Sequence, residues 1–284
     1  MNKVKNLFCP VCKLDTLKKY KVVESNLKKI PEGLDRSDHV KVEILKCYKC
    51  KLFKTDYLSK EIDLNKIYSE DSLSFDASLS KFKKDDHSAI TFDELAMITL
   101  PANSKLLEIG CGAGHLLLRA TKKGFSATGI DLDRKAIQFV KNKLKLNAHL
   151  SKIEDLPKNE KFDIIILIGV FEHIDEPNYF INLMKEHLNE NGEIIMGLPN
   201  VRSLNRFVSE FGRHSWDMFL EPGHIYHYSK SNIKKMFHGS GLDLVFWKTA
   251  SIKIRGKLPF LPFRSHYIER NVCRLTEKYY FFKI

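Results

Sequence analysis

Residues 105–115 read Lys-Leu-Leu-Glu-Ile-Gly-Cys-Gly-Ala-Gly-His, an apolar stretch that runs into glycines at every second position. Leu106, Leu107 and Ile109 have the composition of a buried strand, and Gly110, Gly112 and Gly114 let the backbone bend sharply with no Cβ in the way. The residues that follow begin a helix. In a parallel α/β sheet, the carboxyl end of a strand facing a helix N-terminus is where nucleotide-like molecules bind. The dinucleotide fingerprint needs a third small residue where this chain carries His115, which argues against a nicotinamide cofactor.

Further elements follow at regular distances. Phe125–Asp133 reads as a second strand that ends in acids, Ile130-Asp131-Leu132-Asp133. After it come Ile153-Glu154-Asp155-Leu156-Pro157, the run from Phe162 to His173, and Leu188–Asn200. Helices are predicted at about 115–123, 134–146 and 178–189, giving the βαβ rhythm of a parallel sheet. Glu108-Ile-Gly-Cys-Gly-Ala-Gly114 and the elements after it resemble class I S-adenosylmethionine (SAM) methyltransferases, whose motif is acidic-x-Gly-x-Gly-x-Gly. The resemblance covers about residues 91–249. It implies an α/β, Rossmann-like seven-stranded SAM-methyltransferase sheet, with SAM held by Glu108, Gly110, Gly112, Gly114, Asp131, Leu132, Ile153, Glu154 and Gly169. Asp131 would accept the ribose hydroxyls. Cys111, between two glycines, reads as a small packing residue.

At 284 residues the chain is long enough for a sizeable core and a small accessory module. Its longest apolar run, Ile164–Phe171, is far too short to span a bilayer, and no apolar signal stretch opens the chain, so a cytoplasmic protein is expected. The net charge of +12 is unevenly spread. Residues 1–60 carry 15 Lys/Arg against 7 Asp/Glu, residues 61–200 carry 17 against 22, and residues 201–284 carry 15 against 6, or +8, −5 and +9. Basic ends around an acidic middle suggest an anionic partner: a phosphorylated substrate, a nucleic acid or an acidic membrane surface.

Four of the six cysteines form two pairs, Cys9-Pro-Val-Cys12 and Cys47-Tyr-Lys-Cys50. Such knuckles can close four thiolates around one structural Zn²⁺, and the stretch resembles a zinc ribbon occupying residues 1–60. Lys13 and Lys51 stand where ribbons often have glycine. Residues 61–86 read as a connector, with Tyr68 as a candidate lid. The methyltransferase domain is expected over 87–284, with acceptor-side insertions at about 201–228 and 256–278, a helix capped by Ser229, a strand at Leu242–Lys248 and an antiparallel last strand at Tyr279–Ile284.

Methyl transfer from a sulfonium is an in-line displacement, so the enzyme supplies alignment and, for many acceptors, a base. Glu172 and His173 end the fourth strand at the edge of the expected methyl donor, and His224 and His227 would face them from the Gly-His-Ile-Tyr-His loop. His173 or His224 is the candidate base, with Glu172 beside it. The plan resembles methyltransferases of sugar and surface-glycan biosynthesis. It implies a small anionic acceptor such as a nucleotide-linked sugar or glycan precursor, with O- or N-methylation favoured over C-methylation because the large C-terminal domain of the sugar C-methyltransferases is missing. An RNA methyltransferase using ribbon and basic ends, and a quinone-pathway-like O-methyltransferase, are the alternatives.

Overall fold

The computed structural model describes residues 7–25, 40–57, 79, 100–203, 206, 217–221, 223–255 and 265–276. Tyr68 and the run 279–284 lie outside the described residues.

Phe8–Cys9 (β1) and Leu14–Asp15 (β2) pair around the first cysteine knuckle. Leu17–Ser25 (β3), Val40–Cys47 (β4) and Phe53–Tyr57 (β5) form an antiparallel sheet. A knuckle needs a left-handed residue directly after its second cysteine. Lys13 (φ 56°) and Lys51 (φ 63°) adopt that conformation, at a cost of about 1 kcal/mol each that glycine would avoid. Their N–H groups close the turns by donating to Cys9 O at 2.8 Å and Cys47 O at 3.0 Å.

The glycine-motif strand is Lys105–Ile109 (β6), followed by His115–Lys122 (α1), Ser126–Asp131 (β7), Arg134–Asn142 (α2), Ala148–Leu150 (β8), Phe162–Ile168 (β9), Pro177–Glu186 (α3) and Leu188–Pro199 (β10). These strands lie parallel in the order β10-β9-β6-β7-β8. Ile164, Ile165, Ile166 and Leu167 of β9 are all at most 1% exposed, because a central parallel strand is covered on both faces. Asp133 caps α2 by accepting from Lys135 N at 2.8 Å and Ala136 N at 3.1 Å. α2 stops at Asn142 rather than 146, since Lys145 turns left-handed at φ 58°.

Tyr226–His227 (β11), Lys230–His238 (α4), Asp243–Arg255 (β12) and Ser265–Thr276 (β13) complete the described chain. Ser229 caps α4 as expected, and Asn232 reaches back to Ser229 N at 2.9 Å. The sheet has seven strands: the five parallel ones form the Rossmann-like core, and an antiparallel pair continues the ladder beyond β10. One expectation is corrected. The strand wedged between β10 and β12 is Ser265–Thr276, not Tyr279–Ile284, so most of the insertion expected at 256–278 is sheet. A strand between two long neighbours must match their length: β13 has 12 residues against 13 in β12 and 12 in β10. The aromatic run singled out from the sequence has only six.

β11 does not join this sheet. It adds to the edge of the N-terminal one, giving the order β11-β5-β4-β3. The two parts also share a core, in which Cys9, Val11, Leu17, Leu45, Cys47 and Leu52 belong to one buried cluster with Phe171, Phe180, Tyr228 and Phe237. Asn178 and Asn232 donate to Pro10 O and Cys50 O, each at 3.0 Å. No described helix is long and apolar enough to cross a membrane.

Val272 of β13 pairs with Gly197 on one side and Lys248 on the other. Val272→Pro should remove ladder bonds in mid-sheet and cost about 3 kcal/mol or more. A urea midpoint unchanged from the parent would show that β13 is not held on both edges.

Candidate active site

The glycine turn leaves β6 at the carboxyl edge of the sheet. Gly110 (φ 72°) and Gly114 (φ 76°) need left-handed backbone, and a Cβ on them would meet Val170 Cγ2 at 2.6 Å and Val140 Cγ2 at 2.8 Å. They are therefore required by packing as well as by the turn. Gly112 N–H donates to Asp131 Oδ2 at 2.7 Å, and Asp133 N–H donates to Asp131 Oδ1 at 2.8 Å. The carboxylate thus joins the glycine turn to the start of α2, and each oxygen keeps lone pairs for a ligand. Burial raises the Asp131 pKa, and these N–H groups oppose the rise.

Glu108 is 7% exposed, and its Oε2 is buried with no hydrogen-bond partner. Burial, then the charge of Asp131, pushes its carboxyl well above the usual range. A buried acid with an open oxygen suits a cationic ligand, and SAM carries an ammonium and a sulfonium. The donor set therefore fits SAM. Leu132, 45% exposed, flanks Asp131 as an apolar rim, and Glu154 is exposed on the turn Ile153–Asp155. Ile153 is 2% exposed and packs in the core with Leu107, Ile109 and Ile130. Gly169 is left-handed at φ 70°, its N–H bonded to Gly197 O at 2.9 Å. Cys111 is buried with its thiol pKa raised, first by burial and then by Glu108, as suits a packing residue.

Glu172 and His173 sit in the short turn Phe171–His173 after β9, and the structure brings His224 to them. His224 Nε2 lies 3.9 Å from Glu172 Oε1, and its ring centroid lies 4.7 Å from that of His173. His224 Nδ1 is 3.1 Å from Met218 O. A carbonyl only accepts, so Nδ1 carries the proton and Nε2, the nitrogen facing Glu172, is the basic one. Burial holds His173 down to about 4, against a small opposing effect of its bond to the Gly223 backbone. It is neutral at physiological pH and a weak base. The ligand atoms of Glu172, His173 and His224 all lie within 4.8 Å of one another, close enough for a divalent ion.

The four cysteines also converge, with Sγ atoms all within 4.8 Å. Cys9 to Cys50 is 3.6 Å and Cys12 to Cys47 is 3.8 Å, against about 3.8 Å for the edge of a tetrahedron with Zn–S of about 2.3 Å. Thr16 Oγ1, 3.1 Å from Cys47 Sγ, and Cys50 N–H, at 3.3 Å, support the same sulfur. The hydrogen bond with Cys50 lowers the Cys9 pKa to about 5 and raises that of Cys50.

Several contributors carried no sequence signal. Thr55 lies 2.8 Å from His227 Nε2 across 172 residues, and Met218 acts through its carbonyl, which any residue would supply. His227, 2% exposed, stands edge-on to Phe219 at 4.7 Å.

Residues 86–245 match the family described as a methyltransferase domain. The chain is 32% identical over 147 residues to the ubiquinone biosynthesis O-methyltransferase of Pelagibacter ubique, covering 46% of this chain and 61% of that protein. It is 29% identical over 138 residues to the protein of the same name from Rickettsia canadensis, covering 43% and 58%. The match thus spans about three-fifths of these relatives. Among solved structures, a putative methyltransferase from Haloferax volcanii, in complex with a methyltransferase activator, aligns with TM-score 0.56 at 15% identity over 73% of this chain and 97% of that one. Magnesium protoporphyrin IX methyltransferase from Synechocystis aligns with TM-score 0.50 at 17% identity over 76% and 93%. At these identities the likeness is one of fold.

Burial pushes His227 from 6.5 down to about 3. The unfolded chain takes up this proton near 6.5 while the folded chain does not, so the stabilisation is complete above 6.5 and is lost as pH falls toward 3. Between pH 7.5 and 5 the parent should lose on the order of 2 kcal/mol more than His227→Gln. Parallel pH dependences of melting temperature for the two proteins would refute the buried, neutral His227.

Proposed function

The chain belongs to the methyltransferase-domain family, and from that premise we propose that it moves the methyl group of SAM to a small anionic acceptor, at oxygen or nitrogen. A nucleotide-linked sugar or glycan precursor is the favoured acceptor class. The observation that carries the reading is His224: a buried imidazole whose Nδ1 is tied to the Met218 carbonyl, leaving Nε2 basic and 3.9 Å from Glu172.

SAM supplies an activated methyl group on a sulfonium. Glu108, Gly112 and Asp131 are the residues that would hold it, Glu108 through its open oxygen and Asp131 through its remaining lone pairs. His224 Nε2 takes the acceptor proton as the acceptor becomes a nucleophile, and Glu172 stabilises the imidazolium that results. His173, held neutral, is assigned to orienting the acceptor rather than to proton uptake. The basic segments at either end of the chain favour an anionic acceptor. A quinone-pathway acceptor methylated at oxygen is the second reading, in line with the names of the curated relatives. An RNA acceptor has only the basic ends in its favour.

One structural zinc is assigned to Cys9, Cys12, Cys47 and Cys50, whose sulfur spacing suits it. A four-thiolate shell has no open position, so it takes no part in the transfer. Because these cysteines share a core with the catalytic domain, zinc loss should disturb more than residues 1–60.

Two experiments test this reading. Asp131→Ala should abolish SAM binding by calorimetry, whereas His224→Gln should bind SAM normally and lose about 10²–10⁴-fold in turnover against a panel of nucleotide sugars and catechols. Parental turnover in His224→Gln removes it as the base. Metal analysis of protein purified without chelator should find one zinc per chain, and a value near zero rejects the assignment.

A further inference from the structure

His224 is oriented by contacts that lead back to the cysteine-bearing module. The carbonyl that sets its tautomer belongs to Met218, in the turn Asp217–Phe219. That turn is seated on the N-terminal sheet: Phe219 meets Phe53 at 5.6 Å and is buried with Val23, Val42, Ile44 and Val201. The backbone continues the connection. Thr55 N–H donates to Ile225 O at 2.9 Å, and Ile225 N–H donates to Glu172 O at 2.9 Å. A single residue of the loop is thus tied on one side to the module and on the other to the turn carrying Glu172 and His173. Two residues later, Thr55 Oγ1 lies 2.8 Å from His227 Nε2, and the two residues are 3% and 2% exposed. His227 stands edge-on against Phe219, with its ring 6.0 Å from that of His224.

We propose that Thr55 is a positioning residue of the active site: its hydroxyl and backbone N–H fix His227 and the Gly223–Tyr228 loop, and so hold His224 toward Glu172. The role assigned to His224 rests on the function proposed above. β11 has only two residues paired to β5, a ladder too short to hold a loop by itself. The side-chain bond supplies what the ladder lacks. A hydroxyl can donate to or accept from either imidazole tautomer, so serine can replace threonine here and valine, of the same shape, cannot.

The test uses the full chain labelled with ¹⁵N in its histidine rings, with long-range ¹H–¹⁵N correlation spectra reporting each imidazole's tautomer. In the parent, His224 should show protonated Nδ1. Thr55→Val should shift the Nε2 signal of His227, which loses its hydrogen-bond partner, and the ring signals of His224, while SAM affinity by calorimetry stays at the parent's value. Thr55→Ser should restore both rings. If Thr55→Val does not fold, Thr55→Ala, which removes the hydroxyl without adding bulk, takes its place. Unchanged His224 and His227 signals in the hydroxyl-free variant, or a serine variant displaced as far as valine, would overturn the proposal. Normal turnover in His224→Gln would instead sink the base assignment and leave the tautomer result standing, so the two failures are distinguishable.

Discussion

β9 is hydrogen-bonded along both edges and covered on both faces, and that constraint arranges everything else. Its fully covered stretch, Ile164–Leu167, holds only apolar side chains, and its one acid, Asp163, sits at the strand's start where Lys105 N and Asn189 Nδ2 donate to it. Chemistry is therefore displaced to where the strand ends and backbone groups come free. The turn Phe171–His173 begins there, and Val170 just before it lies against Gly110 of the glycine turn that leaves β6.

The two halves of that edge differ electrostatically. On the glycine side, Glu108 and Asp131 are acids whose pKa values burial raises, a cost that a cationic ligand would offset. On the other side, burial keeps His173 and His227 neutral, and Glu172 is the acid beside the ring of His224. His224 thus turns its unprotonated nitrogen toward a carboxylate, while burial holds the adjoining His173 neutral.

The N-terminal module is tied to the histidine loop through Thr55, whose N–H donates to Ile225 O and whose hydroxyl lies 2.8 Å from His227 Nε2. Its sheet gains β11 from the catalytic domain, and its apolar residues are continuous with the catalytic core. Sixty residues with two cysteine knuckles would need a metal to offset their chain entropy if they stood alone. Shared burial lowers that need.

The sequence by itself determined what short-range spacing can encode. The glycine turn, the strand-end Asp131, the cysteine knuckles, the Ser229 cap and the β–α alternation all rest on residues within a few positions of one another. Their physical causes, backbone freedom, capping and periodic burial, act locally. The tertiary structure decided the rest. Which C-terminal segment lies between β10 and β12 depended on matching length and pairing on both edges, a property of three strands together, and the aromatic content of 279–284 pointed to the wrong one. The tautomer of His224 depends on a backbone carbonyl, to which residue identity is silent. The bond between Thr55 and His227 joins positions 172 residues apart, and a single polar contact at that distance leaves no period or motif along the chain.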